Sequence, residues 1–527
     1  MASSGGWPAT HPPLLEGLLG RRELLRRLGM GSAAAAVLGP AALSACGGGD
    51  GGGGDGGGGD DGADGGGGPA SDGEPAASVE PYDPDRPYWE QGNFAAVRSE
   101  TSETSLEVSG SIPPALSGLY LRNGSNPPSG HAPHWFLGDG MVHGVRIERG
   151  EATWYRNRWV STTVHQQGVD LTEAGVPGRD VNLSNVGLIH HAGKLLSLGE
   201  VGWPYALDPG ELGTAGPWDF DGRLTTAMTA HPKIDPDTGQ MHFFGYGFTD
   251  PLLTYHVADA DGRLVHSEPV AIDALTMIHD FAITDRDVVF WQSPVRFGTS
   301  PDMPYPDLPF YWDPDGPCQV GVMPLGGPAG EIRWADVDPC MVFHGHNAFR
   351  DGDDVVLWVH RSSSAFGSEG DQVPSFLTEW RIDTSGSRLR FRDEQLSEVD
   401  TDLPALDRRH LGRRTRHGWF TTIDRDGPYG FEFAGLLHRD HETGDEERWE
   451  PGPLERVSEG FFAADEPDGD EGEGWLLTFL YDRTVDRSSL GIFDAQAVPD
   501  GPVARIHLPV RVPYGFHGLW IPEDDLG

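Results

Sequence analysis

Val512-Pro-Tyr-Gly-Phe-His-Gly-Leu-Trp520 lies near the end of a 527-residue chain and sets one histidine, His517, among glycine and apolar neighbours. A polar ring in such company is pointed into an interior. Three earlier segments have the same character: Thr229-Ala-His-Pro-Lys233 around His231, Met277-Ile-His-Asp280 around His279, and Val342-Phe-His-Gly-His-Asn-Ala348 around His344. Taken singly, each reads as a hydrogen-bonded core residue, as do His134, His143, His190, His191 and His346. Taken together, the four contexts lead us to expect four imidazoles meeting at one centre.

The chain between these segments is a series of short β-type runs. Gly118–Arg122, Met141–Glu148, Ala152–Val160, Lys194–Leu198, Met241–Tyr246, Asp287–Trp291, Asp354–Val359 and Trp475–Tyr481 are of this kind. Turn signals separate them, among them Asp139-Gly140, Asp221-Gly222, Asp237-Thr-Gly239, Asp261-Gly262 and Asp426-Gly427. No long stretch has a 3.6-residue apolar period and no exact repeat is found. The 75 Gly, 43 Pro and 16 Trp suit many strands and tight turns, so the fold class is all-β. Radial repetition accommodates a chain of this size where one sandwich does not. The histidine spacings of 48, 65 and 173 residues come to roughly one, one and three units of about 64 residues in a seven-bladed β-propeller. They are compatible with a centre on its axis.

The sequence carries 81 acidic against 38 basic residues, a net charge of −43, which repels phosphate backbones and argues against nucleic acid as a partner. Lys194 and Lys233 are the only lysines. An acidic, lysine-poor surface fits a salty habitat or a GC-rich genome, and the sequence does not separate the two. Three cysteines imply no disulfide framework, although Cys318 and Cys340 could pair in an oxidising compartment. Arg21-Arg-Glu-Leu-Leu-Arg-Arg27 precedes an apolar run from Leu28 to Leu43, the pattern of a signal peptide. The paired arginines resemble a twin-arginine export signal, and Leu43-Ser-Ala-Cys46 resembles a lipobox. Residues 1–46 are therefore expected to be a leader ending at a lipid-anchored Cys46, on the outer face of the cytoplasmic membrane. Residues 47–80 are expected to be a disordered Gly/Asp tether, and 81–527 the propeller domain.

Six ordered segments carry a resemblance. They are Arg122-Asn-Gly-Ser-Asn-Pro127, Trp135-Phe-Leu-Gly-Asp-Gly-Met-Val-His143, Ala230-His-Pro-Lys-Ile-Asp235, Ile278-His-Asp280, Phe343-His-Gly-His-Asn-Ala348 and Gly515-Phe-His-Gly518. Together they resemble the signature motifs of the carotenoid cleavage oxygenases, a family that includes retinoid isomerohydrolases and lignostilbene dioxygenases. The resemblance implies a seven-bladed propeller with a loop and helical cap over one face. It also implies one axial Fe(2+) held by His231, His279, His344 and His517, with O2 as co-substrate. Four neutral imidazoles suit iron and leave two octahedral positions open. Histidine ligands give their other N–H to a carboxylate or carbonyl, and the family uses three glutamates. Glu200 and Glu459 match two of them; the third falls near Asp402, with Asp400 as a rival.

Two departures bear on substrate. Asn185-Val186 stands where the family commonly has Asn-Thr, so a methyl remains without the hydroxyl. Trp159 stands at the tyrosine position of stilbene cleavers, and neither lysine of the chain falls at their lysine position. The insertion Arg296 to Trp312, with Phe310 and Trp312, reads as a covering loop or as an apolar mouth for a membrane-dissolved polyene. The expected activity is oxidative cleavage of a conjugated C=C bond of a carotenoid or apocarotenoid into carbonyl products. Stilbene cleavage, polyene isomerohydrolysis and, from another class, a non-catalytic surface-binding propeller are the alternatives.

Overall fold

Strands buried on both faces dominate the fold, and the sequence explains why. Gly118–Ser125, Met241–Tyr246, Leu253–Ala258 and Asp287–Gln292 are buried at every position. The apolar content of the last three suits a sheet sandwiched between neighbours, and Gly118–Ser125 buries the polar Arg122 and Asn123 as well. The outer strand Leu264–Val270 instead alternates buried and more exposed residues. Turns fall at several of the expected Asp/Gly sites, where Gly239 and Gly262 take φ of +67° and +80°, a region costly for other residues, whereas Gly140 of Asp139-Gly140 instead opens a strand.

The structure, a computed structural model, describes residues 81–169, 179–247, 250–298, 308–366 and 373–526. The expected leader and tether, with Cys46, lie outside the described residues.

The strands form seven blades. The first contains Gly118–Ser125, Gly140–Glu148 and Glu151–Trp159, flanked by Thr101–Glu103 outside and Gly518–Pro522 inside. The second runs from Gly187–His191 to Thr214–Pro217, the third from Lys233–Ile234 to Leu264–Val270, and the fourth from Phe281–Ile283 to Arg333–Asp336. A seven-stranded path from Met341–Asp351 to Glu446–Trp449 holds the fifth and sixth blades. They share Arg390–Ala405, whose early residues pair with Ser375–Asp383 and whose end pairs with His417–Asp424. The seventh blade runs from Glu455–Val457 to Pro502–His507.

The two ends of the described chain lock the ring. Gly518–Pro522 pairs antiparallel with Gly118–Ser125, so the last strand completes the first blade. Val108–Gly110 pairs with Pro502–His507, so an early strand completes the last blade. The one α-helix among the described residues is Thr163–Gln167, capped by the Thr162 hydroxyl and closed by Gly168 at φ +64°. Its Val164 joins Leu137, Phe310 and Phe366 in an apolar cluster built from loops of several blades. That cluster is the cap.

Candidate metal centre

Each of the four histidines stands at the start of an innermost strand. His231 and His279 come two residues before Lys233–Ile234 and Phe281–Ile283, and His517 directly precedes Gly518–Pro522. His344 lies within Met341–Asp351, where register shifts on both sides of Gly345 mark a bulge that re-aims the side chain. These strands belong to the third, fourth, first and fifth blades. The expected spacing of one, one and three units is the observed one, since the sixth and seventh blades and then the first follow the fifth.

The rings converge. Centroids of His231 lie 4.5 Å from those of His279 and His517 and 5.2 Å from that of His344. One ligand atom from each falls within 4.8 Å of all the others. A single ion with bonds of ~2.1 Å spans roughly 4.2 Å between opposite nitrogens, so the cage is of ion size. The Nε2 of His344 is buried without a hydrogen-bond partner, and the Nε2 atoms of His231 and His279 are 3.0 Å apart. A buried imidazole nitrogen without a partner, beside two others facing each other at 3.0 Å, fits a metal among them.

The other three blades supply the acids. Glu200, after Lys194–Leu198 of the second blade, accepts from His279 Nδ1 at 3.0 Å. Asp402, on the sixth-blade end of the shared strand, accepts from His344 Nδ1 at 2.7 Å. Glu459, on the seventh, accepts from His517 Nδ1 at 2.8 Å. Every blade thus contributes one side chain, a histidine or its supporting carboxylate. A proton held on Nδ1 leaves the Nε2 lone pair for the centre.

Asp402 reaches its histidine directly, although its side chain is one methylene shorter than glutamate. Leu403 beside it takes φ +52°, a strained conformation for leucine, and donates its N–H to Asp402 Oδ1 at 2.8 Å. The rival Asp400 accepts from Ser375 N and pairs with Arg425. Asp402 is therefore the third acid.

The charges follow this geometry. Burial, reinforced by the neighbouring histidines and Lys233, holds the pKa of His231 well below the ordinary imidazole value. Burial brings His517 down to about 4, with Glu459 pulling the other way. Burial also opposes charge on His344, but Asp402, Asp280 and Glu459 outweigh it and raise its pKa. Burial would raise Asp402, yet His344, His360 and the Leu403 N–H hold it at about 2. Glu459 is lowered despite burial by His517, Arg122 and the Gly518 N–H.

Three supporting residues had no role assigned from sequence. Tyr246 donates its hydroxyl to the second oxygen of Glu200 at 2.6 Å. Asp280 accepts from Gly345 N at 3.0 Å, pairs with Lys233 Nζ at 2.7 Å and lies 4.0 Å from His231 Nδ1. It thereby ties together the segments of His231, His279 and His344. The sequence signal was there: a carboxylate in an apolar run beside His279, and one of only two lysines beside His231.

Around the centre, Val186 accepts the His517 N–H on its carbonyl at 3.1 Å, next to the histidine cage. Phe310 packs on Phe366 at 4.7 Å, Phe366 on Phe343 at 5.7 Å and Phe343 on His279 at 5.6 Å, an aromatic file from cap to centre. Trp312 packs against the same cap cluster. Trp159 gives its indole N–H to Asn126 O and faces the His165 ring, so these contacts are with the end of the first blade and the helix Thr163–Gln167 rather than the cage. Met303 and Tyr305 of the insertion lie outside the described residues.

Residues 94–522 match the family model described as retinal pigment epithelial membrane protein. The chain is 34% identical over 496 residues to a carotenoid cleavage oxygenase of Mycobacterium tuberculosis, covering 83% of this chain and 97% of that one. It is 32% identical over 502 residues to a carotenoid 9,10(9',10')-cleavage dioxygenase of Pisum sativum, covering 84% and 92%. Among solved structures, the lignostilbene dioxygenase of Pseudomonas brassicacearum matches with a TM-score of 0.76 at 28% identity, over 84% of this chain and 100% of that one.

Proposed function

Because this chain belongs to the carotenoid cleavage oxygenase family, we propose that it is a non-haem iron(II) dioxygenase. It cleaves a conjugated C=C bond of a carotenoid or apocarotenoid into two carbonyl fragments. The observation that carries this reading is the cage of His231, His279, His344 and His517 with a carboxylate behind three of its rings. The relatives named for carotenoid cleavage support the substrate class.

Fe(2+), which the four Nε2 atoms would hold, would supply oxygen activation, and four neutral ligands would leave its charge intact. The protein's own part is positioning. Glu200, Asp402 and Glu459 fix the tautomer and tilt of three rings, and Asp280 fixes the backbone between them. The file of Phe310, Phe366, Phe343 and His279 would bind an extended apolar chain and exclude water from it. No side chain is needed as general acid or base.

A second reading, cleavage of a 4-hydroxystilbene, is favoured by the likeness to the lignostilbene dioxygenase. Trp159 in place of a phenol-binding tyrosine argues against it. We also propose that the leader exports the protein and that Cys46 is lipid-anchored, so that enzyme and polyene share a bilayer. A negative surface needs such an anchor near anionic lipid.

The test is bound iron per chain, with aerobic and anaerobic turnover of an apocarotenal panel that includes a hydroxystilbene. One iron per chain and O2-dependent apocarotenal cleavage are expected. Turnover of the stilbene alone overturns the substrate assignment, and turnover without O2 consumption makes the protein an isomerohydrolase.

A further inference from the structure

Of the three cysteines in the sequence, Cys46 belongs to the leader and the other two touch. Cys318 Sγ lies 3.9 Å from Cys340 Sγ across 22 residues of chain. Cys318 enters Gln319–Pro324 of the fourth blade, and Cys340 directly precedes Met341–Asp351, the fifth-blade strand that carries His344. Both are buried, at 8% and 0% exposure, among Val320, Val337, Val342 and Trp291. Among the described residues no third metal-binding side chain joins them, since the only such group is the histidine cage. Two thiols meeting by chance in a domain otherwise without cysteine is improbable. Reduced and side by side, their sulfurs stand about 2 Å farther apart than in an S–S bond.

We propose that Cys318 and Cys340 are joined as a disulfide in the exported protein, clamping the fourth blade to the strand that presents His344. The proposal rests on the export reading above, because such bonds persist in oxidising compartments. The oxidant is a disulfide-bearing thiol oxidoreductase or small-molecule disulfide. The Cys318 thiolate attacks one oxidant sulfur, breaking the oxidant S–S bond and releasing one thiol. Cys340 Sγ then displaces the second oxidant sulfur from Cys318, forming the internal S–S bond. The two cysteines lose two protons and two electrons, and the oxidant leaves as a dithiol or two thiols. Cys318 is the natural first nucleophile. It is the more exposed of the two, and the hydrogen bond from the Cys340 thiol lowers its pKa.

The full chain, recovered from the extracytoplasmic fraction and quenched in acid, is denatured and alkylated without reductant. Neither Cys318 nor Cys340 should take the label, and the chain should be lighter by two hydrogens; two labelled thiols overturn the proposal. A second measurement does not depend on export. Folded chain equilibrated with excess glutathione disulfide should lose both thiols, and persistence of the dithiol overturns the proposal. Cys318→Ser should melt about 5 °C below the oxidised wild type, with the difference abolished by reductant. An unchanged melting point means no clamp, and the mass measurements stand even where the variant fails to fold. None of these readouts involves iron or turnover, so loss of the dioxygenase reading would leave them unaffected.

Discussion

His344 and His346 sit two residues apart on one strand and belong to two different worlds. His344 gives Nδ1–H to Asp402 and points Nε2 at three other imidazoles. His346 is 2% exposed, and neither ring nitrogen has a hydrogen-bond partner; it lies between Trp358, Phe420 and His441. His441 in turn stacks on Trp358 at 3.9 Å with 7° between the planes. Burial is common to both groups and so does not distinguish a ligand. The difference is a carboxylate behind the ring and a shared point in front of it.

The sharpest break is removal of one imidazole from each group. His344→Ala should bring bound iron from about one per chain to background and abolish cleavage, because three ligands and an orphaned Asp402 remain. His346→Leu should keep iron stoichiometry and turnover near wild type. Elemental analysis of both variants side by side is the check. Equal iron loss in the two would erase the distinction drawn between them.

Next in size are the carboxylates. Asp402→Asn and Glu459→Gln keep the shape but remove the charge that holds Nδ1–H in place. Each should weaken iron binding or lower turnover by about 10–100-fold, read by chelator competition. Asp280→Asn acts differently, since it leaves the half-buried Lys233 without its counter-charge. Breaking a fully buried pair costs about 3–5 kcal/mol, an upper bound for this one, so its effect should fall mainly on melting temperature, with a smaller loss of iron. A variant that loses iron but no stability would make Asp280 a fourth supporting carboxylate for His231.

Much of this contrast was legible in the sequence. The ordered motifs contain the four histidines that converge in the structure, the family resemblance pointed to Glu200 and Glu459, and the strand runs matched observed strands to within a few residues. Met241–Tyr246 and Lys194–Leu198 matched at both ends. What stayed hidden depends on long-range packing. Asp400 and Asp402 have the same strand parity, so alternation cannot choose between them. The choice is made by Arg425, which takes Asp400, and by the left-handed Leu403, which no leucine advertises. The Lys233–Asp280 pair joins the third blade to the fourth and is invisible to any local pattern. His346 was read as a core residue, and the structure adds that its core environment offers it no polar partner.

That last point yields the smallest and most specific effect. Burial lowers the pKa of His346 to about 3, with His360 adding to the shift, whereas the unfolded chain has the ordinary imidazole value. A histidine depressed on folding stabilises fully above pH ~6.5 and loses that contribution as pH falls toward its folded value. In that window each such group costs about 1.4 kcal/mol per pH unit. Leucine has no proton to take up and no unpaired nitrogens, so at neutral pH His346→Leu should change stability by about 1 kcal/mol or less. At pH 5 the variant should be ahead of wild type by about 2 kcal/mol, measured by denaturation of the iron-free protein. His517, depressed to about 4, follows the same sign in iron-free protein, but iron occupying its lone pair should hold off the proton. Added iron should therefore flatten the acid side of the wild-type stability curve only by the share of His231 and His517. The share of His346 should survive metal loading and disappear only with the leucine.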